Sequence, residues 1–268
     1  MHDKNIIVNL AIQSLIKEAS MAPKPGLVDP LDNGSHSDMD YIMFLNSSIA
    51  LKTGFMAYYD AGEKHEGSNK ELFAKIRLIG MDNEQSMYAS TANVNTHKGA
   101  NFIYGIIIAI IGLKARPSLS EIRFIMMDMT QGLVEAELAS LREYKTHGEK
   151  VYQEYGYTGI RGQVEAGLPL IFEHTLKIMK KDKDYNTNLK LALLYLIQHN
   201  DDSNMLKRGG IEGLNFGKEL AAKAYTNLDQ HLDYMNEEFK KYYLSPGGSA
   251  DLLAITIFLD LYNNFIND

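Results

Sequence analysis

Five polar segments of this chain combine charged side chains with glycine in patterns that suit the handling of anionic substrates. In Leu244-Ser-Pro-Gly-Gly-Ser-Ala-Asp251, Ser245 can cap a helix and Pro246 suits its first position. Gly247, Gly248 and Ser249 then leave backbone N–H groups open to a phosphate or carboxylate, and the helix dipole adds to their attraction. A capped helix without a ligand fits the same residues, and the lysine of a nucleotide P-loop is missing. In Asn93-Val-Asn-Thr-His-Lys-Gly99, Asn95 and a capping Thr96 precede His97 and Lys98 in a first turn where the dipole disfavours a cation. An anionic ligand resolves that conflict, although a solvated lysine beside a packed histidine explains it too.

Gly156-Tyr-Thr-Gly-Ile-Arg-Gly-Gln-Val-Glu-Ala-Gly167 sets Arg161 and Glu165 on one helix face, either as a plain ion pair or as a phosphate fork beside a base or metal ligand. His199-Asn-Asp-Asp-Ser-Asn204, followed by Lys207-Arg-Gly-Gly210, offers adjacent carboxylates and side-chain amides. These are oxygen ligands of the kind Mg2+ takes, with Arg208 free to approach a phosphate, and a polar turn is the simpler alternative. The D-D-x-x-D pattern of all-α prenyltransferases is broken by Met205. Lys24-Pro-Gly-Leu-Val-Asp29, with Gly34, His36 and Asp38 behind it, puts charge into a proline-restrained loop, which lowers the entropy lost on holding a ligand. The same residues suit an ordinary surface loop.

The elements that must position these segments are helical. Apolar residues recur at helical spacing nearly everywhere and sustained alternation is hard to find, so the chain reads as an all-α, single-domain, multi-helix bundle over residues 1–268. Helices are expected at Ile6 to Glu18, from a cap at Asp38 to Tyr59, at Lys70 to Ile79 and at His97 to Leu113. Further helices are expected at Ser118 to Glu143, Gln163 to Met179, Thr187 to His199, Phe216 to Tyr225, Asp229 to Tyr242 and Ser249 to Phe265. Ser118-Leu-Ser-Glu121 is a capping box. Loops are expected at Gly80 to Thr96 and Asn200 to Gly213. Gathered at one end of the bundle, the glycine-bearing loops and helix N-termini would form a site.

Composition narrows the partners. The net charge of −7, from 27 basic and 34 acidic residues, argues against general nucleic-acid binding, so a polyanionic ligand must be held locally. With no cysteine there is no disulfide, thiolate zinc site or cysteine nucleophile, which fits a reducing, cytoplasmic setting. The first residues lack a secretory pattern, and the longest apolar run, Phe102 to Leu113, falls short of the roughly 20 residues that span a bilayer. No membrane partner is expected.

Together the five segments resemble the triphosphoribosyl-dephospho-CoA synthase family, which makes the prosthetic-group precursor of citrate lyase and malonate decarboxylase. The resemblance is carried by Pro23-Lys-Pro-Gly-Leu-Val-Asp29 with Gly34-Ser-His-Ser-Asp-Met39, and by Asn95-Thr-His-Lys-Gly99. Gly159-Ile-Arg-Gly162 with Glu165 and Gly167, Asp202-Ser-Asn204 with Arg208-Gly-Gly210, and Ser245-Pro-Gly-Gly-Ser-Ala-Asp251 complete it. Two positions depart from the family pattern: Gln163 stands where Glu is usual after Arg-Gly, so that role passes to Glu165 or is lost, and Asp201 stands where Gly is common.

The resemblance implies attack by a ribose hydroxyl of 3'-dephospho-CoA on the ATP ribose carbon bonded to adenine. Adenine leaves, and the triphosphate is retained. Such a glycosyl transfer needs a carboxylate near an oxocarbenium-like centre, a proton for the leaving base, an acceptor for the hydroxyl proton and anchors for the triphosphate. Within the matched motifs, Asp202 is the candidate for metal binding or charge stabilisation, Glu165 for the base and His97 for the acid. Lys24, Asn95, Thr96, Lys98, Arg161, Asn204, Arg208, Ser245, Gly247, Gly248 and Ser249 are candidates for binding substrate phosphates, with Lys24 at the rim. Asp29, Glu84, Asp202 and Asp251 are candidate ligands of Mg2+ accompanying ATP, and the carboxylate roles are exchangeable among them. A homodimer and delivery of the product to a carrier-protein transferase are further expectations. Two rivals remain: a metal-dependent all-α hydrolase of a nucleotide or ADP-ribose-like substrate, and a non-catalytic coenzyme-binding partner.

Overall fold

The computed structural model describes residues 2–140, 147–180 and 183–268, and among these there is no strand. The helices are α1 (His2–Ser20), α2 (Tyr41–Ala50), α3 (Lys52–Glu63), α4 (Asn69–Ser90), α5 (Lys98–Lys114), α6 (Leu119–Thr130), α7 (His147–Tyr155) and α8 (Gly159–Glu165). They continue with α9 (Leu176–Met179), α10 (Tyr185–His199), α11 (Ser203–Ala222), α12 (Leu228–Lys241) and α13 (Gly247–Asn267). Two wider π-helical turns cover Glu135–Ala139 and Leu170–Thr175, the second leading into α9.

Helix α5 is the axis of the fold. From Ile103 to Ile111 every hydrophobic residue is buried, and the helix packs against α3, α4, α6 and α13. A helix apolar on all sides has no solvent face, and each fully buried isoleucine contributes roughly 1.5–3 kcal/mol relative to exposure. Close packing on α3 depends on Gly62, where a Cβ would sit 1.9 Å from the Ala109 carbonyl oxygen. One continuous hydrophobic cluster joins α1, α3, α5, α10 and α13. No single described helix is long and apolar enough to cross a membrane.

The capping box at Ser118 and Glu121 forms as expected, and a second one, Ser68 with Glu71, starts α4. Several boundaries differ from the sequence expectation. The segment from Asp38 to Tyr59 is two helices broken at Leu51, and the cap is Asp40, whose side chain accepts from Met43 N–H. Helix α4 runs on through Gly80 to Ser90, because Asn83 and Met87 keep its helical stripe buried. Likewise α11 occupies most of the segment expected to be a loop between Asn200 and Gly213, with a kink at Gly210, whose φ of 61° and ψ of −162° suit glycine. Helix α6 stops at Thr130; Leu141, Arg142 and Glu143 of the longer expected helix lie outside the described residues. The helix expected at Gln163 to Met179 is interrupted after Glu165, where Gly167 and Leu168 both take positive φ.

Candidate active site

All five polar segments contribute to one cavity of about 960 Å³. Three helix N-termini meet on its wall: α5 through Thr96 to Gly99, α11 through Ser203 and Asn204, and α13 through Gly247 and Gly248. Helix N-termini carry partial positive charge, so three of them on one wall favour negative charge in the space they border. Hydrophobic walls come from Phe44, Phe73 and Phe102.

Asp202 organises this convergence from behind the wall. As N-cap of α11 it accepts from Asn204 N–H at 2.9 Å and Met205 N–H at 3.4 Å, and it also accepts from Ser249 N–H at 2.7 Å and Ser249 Oγ at 2.9 Å. One carboxylate thus ties α11 to the first turn of α13. Burial raises its pKa, and these donors offset only part of that rise. Both oxygens are engaged and neither Asp202 nor Ser249 lines the cavity, so the structure does not bring the expected stabiliser to the substrate space.

Asp251 does line it. Its carboxylate lies against the start of α5, where it accepts from Ala100 N–H and where a Cβ on Gly99 would come within 2.1 Å of Oδ2. Burial, and after it the charges of Asp202 and Glu18, hold its pKa well above the usual carboxylate range. A carboxyl poised to keep its proton is the kind of group that acid–base chemistry needs.

His97 also lines the cavity. Nδ1 meets Ser47 Oγ at 2.8 Å, Ser47 in turn meets Thr96 Oγ1 at 2.6 Å, and Nε2 is buried without a partner among the described residues. Burial, and then the Lys24 charge, bring its pKa down to about 3. The ring is therefore neutral near pH 7, which corrects the expectation of an imidazolium acid: it offers hydrogen bonds instead.

The cations are distributed around this centre. Lys98 pairs with Glu84 at 2.8 Å, and both line the cavity. Arg161 Nε pairs with Glu137 at 2.7 Å, and Glu137 also holds Arg77 at 3.2 Å. Arg208 Nη1 donates to the carbonyls of Ser35 and Tyr243, and its Nη2 lies 3.0 Å from His36 Nδ1. Lys24 is not at the rim: it is buried and donates to the Glu18 carboxylate at 2.7 Å, and Glu18, not Lys24, reaches the cavity. Asn95 accepts from Lys98 N–H and lines the cavity beside Thr96 and Asn204. Ser245 does not cap α13, whose cap position is Pro246; its hydroxyl meets His36 Nε2 at 2.8 Å.

Glu165, the expected base, points elsewhere. Its two oxygens accept from the N–H groups of Gly132 and Val134 at 2.8 Å each, stapling the turn after α6, and it does not line the cavity. Gln163 does, with its Oε1 buried and unpartnered. Asp29 likewise serves its own loop, accepting from the N–H groups of Lys24, Leu31 and Asp32. The four expected Mg2+ ligands, Asp29, Glu84, Asp202 and Asp251, do not form one set, and no three His, Asp or Glu side chains gather as a metal site among the described residues. Sequence reasoning passed over Glu18, Ser47, Arg77 and Glu137, which stand on helical segments whose periodicity says only which face is buried. His36 stood inside a motif but was given no role.

A family described as ATP:dephospho-CoA triphosphoribosyl transferase matches residues 4–267. The chain is 37% identical to the 2-(5''-triphosphoribosyl)-3'-dephosphocoenzyme-A synthase of Haemophilus ducreyi over 281 residues, covering 94% of this chain and 87% of that protein. It is 38% identical to a probable synthase of the same name from Vibrio cholerae, covering 94% and 86%, and 34% identical to another from Streptococcus equi subsp. zooepidemicus, covering 96% and 97%. No solved structure matches the chain. With similarity from end to end, and with the glycine-rich segments gathered on one cavity, the chain belongs to the ATP:dephospho-CoA triphosphoribosyl transferase family.

Proposed function

We propose that this cavity joins the triphosphoribosyl group of ATP to 3'-dephospho-CoA, releasing adenine and forming 2'-(5''-triphosphoribosyl)-3'-dephospho-CoA. The observation that carries the residue-level reading is the placement of Asp251, a half-buried residue with a raised pKa, on the wall where three helix N-termini meet. The volume of about 960 Å³ lies at the upper end of the usual range for ligand pockets, in keeping with two substrates.

Asp251 serves twice. As the bond between ribose C1' and adenine breaks, its proton goes to a ring nitrogen of the leaving base. The carboxylate left behind faces the positive charge spreading over the ribose, and it then takes the proton of the attacking 2'-hydroxyl as the new C1'–O bond forms. One proton leaves with adenine and one returns to Asp251, so the site is restored. Neutral His97, fixed through Nδ1 by Ser47, forms part of the wall beside the adenine or the ribose. Lys98, Arg161 and the N–H groups at Gly247 and Gly248 hold phosphoryl oxygens, with Arg208 at the cavity edge engaged by Ser35, Tyr243 and His36, and the absent P-loop lysine is no loss because no phosphoryl group moves. Asp202 and Ser249 fix the helix starts, and Asn95, Thr96 and Asn204 complete the polar wall.

The carboxylates do not suit a resident metal centre, since Asp29 is used by backbone donors and Asp202 by backbone donors and the Ser249 hydroxyl. Mg2+ fits better as the counter-ion that ATP brings with its triphosphate. We further propose that the enzyme works in the cytoplasm, as a homodimer, and hands its product to a carrier-protein transferase. Incubation with ATP, Mg2+ and 3'-dephospho-CoA, followed by chromatography and mass analysis, tests the reaction. Adenine and adduct should appear in equal amounts. Adenine release without the acceptor, or coenzyme binding without adenine release, overturns the reading.

A further inference from the structure

The loop between α1 and α2 sets His36 against Ser245, the residue before the cap of α13. Its other ring nitrogen, Nδ1, lies 3.0 Å from Arg208 Nη2. A guanidinium has donors only, so Nδ1 must accept. A neutral imidazole carries one N–H, which therefore sits on Nε2, and Nε2, at 2.8 Å, donates to Ser245 Oγ. Burial, and after it the Arg208 charge, hold His36 at about 4, so the neutral ring prevails near pH 7; Asp38, 3.7 Å from Nδ1, is the opposing charge. Because Nε2 is already protonated, His36 cannot take the Ser245 proton, and a Ser–His nucleophile is excluded. Ser245 accepts from His36, its own proton has no acceptor among the described residues, and it lines the cavity.

We propose that Arg208 and His36 are positioning residues that make Ser245 a hydrogen-bond donor to a phosphoryl oxygen of a polyphosphate substrate. Arg208 sets the tautomer, His36 fills one lone pair of the hydroxyl, and the remaining proton is left for the ligand. Most donors of Arg208 are spent on Ser35, Tyr243 and His36, so it organises this corner more than it grips phosphate itself. The inference rests on the reading of the cavity as the site for ATP and 3'-dephospho-CoA.

Three variants test it. In His36→Asn the amide takes the place of Nδ1, keeping a partner for Arg208 but falling short of Ser245. In His36→Gln the amide reaches the place of Nε2 and can still donate to Ser245. Ser245→Ala and His36→Asn should each raise KM for one polyphosphate substrate roughly tenfold or more, the scale of one hydrogen bond to a charged group, with a much smaller change in kcat. His36→Gln should recover most of the loss, and the double variant His36→Asn/Ser245→Ala should be no worse than Ser245→Ala. Varying ATP and 3'-dephospho-CoA separately identifies whose phosphoryl group is met.

Calorimetric binding of inorganic tripolyphosphate, ATP and 3'-dephospho-CoA ranks the same variants without turnover. A wild-type protein that binds these but releases no adenine would defeat the proposed reaction and leave this ranking to be read on its own. The proposal is overturned if His36→Asn keeps wild-type KM while His36→Gln does not, or if the double variant is additive. Should His36→Asn fail to fold, Ser245→Ala decides alone: unchanged KM for both substrates and unchanged affinities overturn it.

Discussion

Two carboxyl groups stand at helix starts, the buried Asp202 at α11 and the half-buried Asp251 of α13 against α5, and they are used in opposite ways. At α11, Asp202 receives three backbone N–H groups and a hydroxyl, which offset part of the rise that burial gives its pKa and immobilise its two oxygens behind the cavity wall. At α5, Asp251 receives Ala100 N–H, stands near the negative charges of Asp202 and Glu18, and faces the cavity. Burial alone does not make a carboxylate reactive. The donors around it, together with its access to the cavity, decide whether it holds a structure together or is left for chemistry.

The same substitution at the two positions gives the sharpest contrast. Asp251→Asn should lower adenine release at least roughly a hundredfold, the lower end of the usual range for an acid–base group, and chromatography of adenine reads it directly. Near-normal turnover would break the comparison. Asp202→Asn should instead cost stability, about 1–3 kcal/mol in urea titration, because an amide N–H2 must then confront the N–H of Asn204 or Ser249. Gly99→Ala sharpens the role of the space beside α5: its Cβ would fall 2.1 Å from Asp251 Oδ2, and displacing the carboxylate should slow turnover by roughly tenfold, within the reach of small misplacements of reacting groups.

A smaller effect lies in the pH dependence of stability. The folded-state pKa of Asp251 is raised above 3.8, so the folded protein keeps a proton that the unfolded chain releases. The stabilisation from that proton is complete below the unfolded value and is lost as pH rises through the folded value. Thermal melting of Asp251→Asn should therefore match wild type near about pH 4 and gain on it toward about pH 8. Least affected should be Glu165→Gln, whose position outside the cavity predicts adenine release within about threefold of wild type, the scale of an ordinary substitution away from the reacting groups.

The candidate site was legible in the sequence as segments more than as roles. Each polar, glycine-bearing segment does reach the cavity, because chain that cannot extend the apolar core is left at its edge. Which side chain in each segment faces the ligand was not legible. Glu165 and Gln163 are two residues apart, yet the first turns to the amides after α6 and the second to the cavity. Ser245 reads as a cap by local preference, but the first turn of α13 is satisfied through Asp202, leaving the hydroxyl to His36, more than two hundred positions away in the chain. Glycine punctuation misled in one place and not in another: Gly80 reads as a break but sits within α4, whose buried face continues past it, whereas the pair Gly209 and Gly210 does mark a kink in α11.

By itself the sequence determined the all-α class, the apolar axis at α5, the capping box at Ser118 and the residue types from which an anion site is assembled. These depend on periodicity and on contacts three or four residues apart, which a helix imposes without help from the rest of the chain. The tertiary structure alone decided which carboxylate is satisfied and which is left to react. That choice depends on donors brought from distant helices, Ser249 to Asp202 across 47 residues and Ala100 of α5 to Asp251 of α13, and local spacing carries no information about either meeting.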